Sequence, residues 1–209
     1  MKILQIIIIL ILAFVSSVVN GTPNDNRSLT ERLSPEMKDK LTEFRTQLEI
    51  AYYHKDVKRA LEMSSKIYDI DSTQGELIFA DTYHWMEEYE KSIEWARKAI
   101  ESAKKEKLSL TVPLMLIADS YYTTGKTKEA LETLDELIKT SPDSPMGYKL
   151  YAQYYEEQND IKNAIYYWEE ALKRFKKDDF RMITRAKEKL KELRAKKRND
   201  IFISHTFTS

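Results

Sequence analysis

The chain has 209 residues, with 34 Lys or Arg balanced by 34 Asp or Glu, so its formal net charge is zero. It has no cysteine, which excludes disulfides, Cys metal sites and Cys nucleophiles and leaves packing as the only staple. Four glycines and five prolines are few, as a mostly helical chain requires, and no GxGxxG or Walker pattern offers a phosphate-cradling loop.

At the start, Met1 and Lys2 precede an apolar run over residues 3–19 that is broken only by Gln5, Ser16 and Ser17. A short basic start, an apolar core and small residues such as Ser17 or Gly21 read as a secretory signal peptide over residues 1–21. The alternative is an uncleaved membrane anchor, although the run falls short of the roughly 20 residues a spanning helix needs. Either way the domain crosses a membrane while Lys2 stays inside. The expected location is therefore the bacterial periplasm or cell envelope, with secretion or membrane anchoring as alternatives. Residues 22–35, rich in Asn, Ser, Thr and Pro, read as a linker.

Residues 36–198 then carry paired helical patterns that recur. Phe44, Leu48, Ala51, Val57, Ala60, Ser64 and Ile67 form the first copy, near 41–72. The second, near 73–106, has Phe79, Ala80, Tyr83, Tyr89, Ser92, Ala96 and Ala99. The third, near 111–144, reads Leu114, Ile117, Ala118, Tyr121, Gly125, Ala130, Leu134, Leu137 and Pro142. The fourth, near 145–178, answers with Tyr148, Tyr151, Ala152, Tyr155, Asn159, Ala164, Trp168, Ala171 and Lys176. A period of this length with two amphipathic helices per copy predicts a helix-turn-helix repeat that buries its face only against its neighbours. Ala60, Ser92, Ala130 and Ala164 are the small residues that let the second helix cross the first. Gly125 and Asn159 end first helices because they tolerate a left-handed backbone. The crossing residues are separated by 32, 38 and 34 positions, which predicts a shortened first connection and about four extra residues around 104–110.

This pattern resembles the tetratricopeptide repeat family over roughly residues 41–176. The resemblance implies an all-α, α-α superhelical solenoid of about four repeats, closed by a capping helix. It also implies a concave face, lined by the first helices, where a peptide or helix of a partner protein docks. Carried over position by position, that groove holds Arg45, Glu49, Tyr52 and Tyr53 in the first copy and Leu77, Asp81, His84 and Trp85 in the second. Met115, Asp119, Tyr122 and Thr123 follow, and then Lys149, Gln153, Glu156 and Glu157. Tyr52 is the ring most readily read as packing, while Trp85 and Tyr122 suit groove and packing equally. Glu49, Asp81 and Asp119 stand where carboxylate-clamping members of the family would carry Asn, and acids there repel a carboxylate. A partner with basic and apolar residues suits the groove better. The implied function is that of a non-enzymatic adaptor supporting assembly of an envelope complex.

Beyond the repeats, Phe180, Ile183, Ala186, Leu190 and Leu193 form a narrow stripe on a highly charged helix, read as a cap over residues 179–198. Residues 173–198 carry 13 Lys or Arg and 4 Asp or Glu, so the rest of the chain is correspondingly acidic. The plain interpretation is a solvated cap. The sharper one is a membrane-peripheral scaffold in which Lys189, Arg194, Lys196, Lys197 and Arg198 contact an anionic surface, nucleic acid being the least suited to an exported chain. Residues 199–209 show no helical period and read as a disordered tail.

Catalytic signals are weak. His54, His84 and His205 are scattered, and no nucleophile is placed beside them. Asp81 and His84 share a helix face with Trp85, which leaves a small-ligand or metal-dependent role there as a third alternative. No metal or cofactor is expected, and the oligomeric state is left open.

Overall fold

The computed structural model describes residues 33–206, with side chains up to residue 199. The expected signal peptide and most of the linker lie outside these residues. Among the described residues the chain is all-α, with nine helices. They are α1 Pro35–His54, α2 Val57–Ile70, α3 Ser72–Trp85, α4 Tyr89–Glu106, α5 Thr111–Thr123, α6 Thr127–Thr140, α7 Pro145–Glu157, α8 Ile161–Arg174 and α9 Phe180–Thr206. None is long and apolar enough to cross a membrane. Two compact units divide the chain after Lys126, so α5 of the third copy falls in the first unit and α6 in the second.

Within the first unit, successive helices pack on one another and α3 also touches α5. Each helix starts or stops for a local reason. Ser34 caps α1 by accepting from the Met37 N–H at 3.2 Å, with Pro35 in the first turn. Asp56 and Asp71 cap α2 and α3 in the same way, each at 3.0 Å. The turns that join first to second helices are built alike. Lys55, Glu87 and Gly125 each adopt a positive φ, and the following N–H donates back to the carbonyl of Ala51, Tyr83 or Tyr121 at 2.8 to 2.9 Å. This is the Schellman closure, which satisfies carbonyls that a helix end leaves orphaned. Asn159 closes α7 identically in the second unit, through Asp160 and Tyr155.

The uneven repeat spacing has two structural causes. Between α2 and α3 a single residue, Asp71, serves as C-cap of one helix and N-cap of the next. So tight a connection drives α3 onto α2. A Cβ on Gly75 would lie 2.2 Å from the Tyr68 Cα, so no other residue fits there without backbone movement. The extra residues near 104–110 lengthen α4 to 18 residues where α2, α6 and α8 have 14, which is about one added helical turn.

The crossing residues are buried as expected. Ala60, Ser92 and Ala164 are fully buried and Ala130 nearly so. Around Ala60 the first core gathers Leu41, Leu48, Ala51, Met63, Ile67 and Ile78. Ser92 differs from its counterparts in carrying a hydroxyl, and this Oγ has no hydrogen-bond partner among the described residues.

In the second unit α7, α8 and α9 stack in order, and α6 packs on α7. Tyr151 donates to Asp135 at 2.6 Å, and its ring lies 4.7 Å from that of Tyr167 and 6.2 Å from that of Tyr155, tying α6, α7 and α8 together. Ala186, Leu190 and Leu193 of α9 cover Ala152, Ala164 and Trp168, as a cap should. Two expectations are corrected. Phe180 lies outside the capping stripe, at 74% exposure. The final helix also runs to Thr206 instead of ending near 198 in a disordered tail, because neither Gly nor Pro interrupts residues 180–206.

Candidate functional site

The expected groove residues on α1, α3 and α5 of the first unit lie at different depths. Tyr52 is buried, and its hydroxyl lies 2.7 Å from Thr82 Oγ1 and 3.4 Å from the Asp81 carboxylate. Ser64 on α2 reaches Thr82 at 2.8 Å. Ser64 donates its single proton to the Ala60 carbonyl at 2.8 Å, so Thr82 donates to Ser64, and the Tyr52 hydroxyl has Thr82 and Asp81 as acceptors. Burial pushes the Asp81 carboxyl up to about 6, against the opposing pull of His84 and the Tyr52 hydrogen bond. Burial likewise raises the Tyr52 hydroxyl well above the usual tyrosine range, with the Asp81 charge adding to it.

His84 continues this polar layer toward α5. Its Nδ1 lies 3.1 Å from Ser120 Oγ and its Nε2 2.9 Å from Asp119 Oδ2. Both ring nitrogens therefore have protein partners, which disfavours His84 as a metal ligand. Among the described residues, no group of three or more acidic or histidine side chains is arranged to hold a metal ion.

Burial sorts the remaining candidates. Trp85 is half-buried: its ring lies 4.8 Å from that of Tyr52, tilted by 34°, and it packs against the first core. Leu77 packs against the second core, and Met115 is buried. Arg45 is tied to Gln74 at the start of α3, and its burial lowers the guanidinium pKa against the opposing charges of Asp71 and Glu49. These side chains join helices to one another. Tyr53 is 84% exposed, Glu49 and Thr123 are exposed, and Asp119 and Tyr122 are half-buried. The accessible surface of these positions is thus aromatic and acidic.

In the second unit, Lys149 is buried, Gln153 is half-buried and Glu157 is exposed. Glu156 belongs to the scaffold. It accepts from the Trp168 indole N–H, and its other oxygen lies 3.2 Å from Lys189 on α9. Helical spacing alone did not reveal this role, because one partner lies on the next helix and the other beyond the repeat. The expected anionic-surface cations are likewise partly engaged. Besides Glu156, Lys189 pairs with Glu192; Arg194 pairs with Glu169 at 2.7 Å, and Lys196 donates to Asn159 at 2.6 Å. Lys197 and Arg198 are exposed.

A tetratricopeptide repeat family model matches residues 114–144, the segment that spans most of α5 and all of α6. No curated protein matches the chain. Among solved structures it is similar to PilW, described as a widely conserved type IV pilus biogenesis factor. That likeness has 17% identity and a TM-score of 0.54, over 75% of this chain and 76% of that one. It is also similar to BtubC (BKLC) from P. vanneervenii, at 14% identity and a TM-score of 0.59, over 91% of this chain and 92% of the other. At such identities the likeness shows the fold alone. The fold is that of tetratricopeptide-type helical repeats.

Proposed function

We propose that this chain is a non-enzymatic adaptor of the bacterial cell envelope, exported by its apolar N-terminal segment, that holds a peptide or helix of a partner protein against the face of α1, α3 and α5. The observation that carries this reading is the split within that face. Tyr53, Glu49, Tyr122 and Asp119 keep exposed surface, while Tyr52, Asp81, Thr82 and His84 beneath them are locked by hydrogen bonds. A rigid, aromatic and acidic surface loses little entropy on binding and favours basic and apolar partner side chains. The repeat fold supports a protein-interaction role, and the likeness to PilW, a pilus biogenesis factor, favours an envelope setting.

Capture of partner proteins from envelope extract, by the unaltered chain and by a Glu49→Lys/Tyr53→Ala variant, tests this. Both side chains are exposed, so the variant keeps its helical signal and melting temperature. Loss of a specific captured protein is the expected result. Capture of the same protein in the same amount contradicts the proposal.

A further inference from the structure

A second surface lies between α8 and α9, and it does not depend on the face of the first unit. It is a cleft of about 580 Å³ whose floor is Leu172 and Leu190. Lys187, Lys191, Arg194 and Arg198 line it from α9, at successive spacings of four, three and four, which is one face of a helix. Lys173 faces them from α8. The one acid lining the cleft is Glu169, already paired with Arg194. Among the described residues, Lys187, Lys191 and Arg198 have no carboxylate partner. Like charges repeated along one helix face repel one another, so this stripe costs helix stability unless something acidic lies beside it.

The packing of the preceding helices says what shape fits. Helix α8 lies against α7, and its Arg174 stacks over Tyr148 at 3.8 Å and reaches back to the Pro142 carbonyl after α6. A helix in the same relation to α9 would occupy the cleft between α8 and α9. We infer that this cleft docks an amphipathic, acidic helix of a partner protein, which continues the helical stack with its apolar stripe on Leu172 and the aliphatic stems of Lys187 and Lys191, and its carboxylates on the flanking cations. A bilayer is a poorer match, because the apolar residues are recessed: Leu190 is only 3% exposed and cannot insert into lipid.

The test uses the full chain and a fluorescent synthetic helix with a Leu stripe flanked by Glu, beside a counterpart with Lys in place of Glu. Anisotropy should show saturable binding of the Glu helix, weakening with salt, and none of the Lys helix. Lys187→Glu/Lys191→Glu, both exposed and folded by circular dichroism, should weaken binding about tenfold or more. Lys162→Glu, on α8 outside the cleft, should change it less than about twofold. Absence of saturable binding, or equal binding by the double variant, overturns the inference. So does binding to phosphatidylserine vesicles, lost in the double variant, without binding to the helix.

Discussion

The Tyr52 hydroxyl on α1 and the Asp81 carboxylate on α3 face each other at 3.4 Å in a buried polar layer. The carboxyl titrates near 6 there, above its ordinary value of 3.8. The folded state therefore holds the Asp81 proton more tightly than the unfolded chain. Its contribution to stability is fully present below pH 4 and is lost as pH rises through 6. Asp81→Asn keeps an acceptor for Tyr52 and removes the buried charge. The unfolding free energy from urea titration should rise in this variant by up to about 3 kcal/mol at pH 7.5 and hardly change at pH 4. An equal effect at both values would mean that the charge is not the cause.

Gly75 sits where α3 meets the end of α2, with the Tyr68 backbone 2.2 Å from where its Cβ would be. Backbone cannot rotate away as a side chain can. Gly75→Ala should cost about 3 kcal/mol or prevent folding of the first unit. Gly125→Ala has open space around the new methyl and strains only φ, so about 1 kcal/mol is expected. Thermal melts of the two variants check the difference.

Much of this architecture was legible because chemical type sufficed. The crossing alanines, the Pro142 stop, and Gly125 and Asn159 as turn residues all announce their roles through size or backbone freedom. Lys55 and Glu87 do the same work as Gly125 without any such signal, since their positive φ is imposed by the packed helices on either side. The surplus spacing around Lys107 could have been a loop or a longer helix, and only packing decided for the helix. The resemblance to the repeat family pointed to positions on α1, α3 and α5, but it carried no information on their depth. Helical spacing gives Tyr52 and Tyr53 adjacent bearings, yet one is buried and the other almost fully exposed. The contacts of Glu156 with Trp168 on α8 and Lys189 on α9 were not legible, because helical spacing gives a bearing and not a partner.

Ser92 buries a hydroxyl without a partner where the other copies have a methyl. Ser92→Ala removes a polar group that burial penalises and leaves the close crossing intact. It should stabilise the protein by about 1 kcal/mol in denaturant unfolding; a loss of stability would show that Oγ has a role the crossing geometry does not require.

Glu156 is expected to behave as structure and not as binding surface. Glu156→Ala leaves the Trp168 N–H unpaired and removes one of the two carboxylates beside Lys189, so the second unit should lose about 1–3 kcal/mol while capture of a partner by the folded protein persists. Hydrogen exchange over α8 and α9 would register the change.

The central claim is that Tyr53 on α1 and the accessible edge of Tyr122 on α5 touch a partner protein. A photoreactive residue placed at Tyr53, at Tyr122 and, on α2, at Ser65 in the full chain tests it in intact cells. The account predicts one common protein crosslinked from positions 53 and 122 and absent from position 65. No adduct at the two tyrosine positions, or the same adduct at all three, would contradict it.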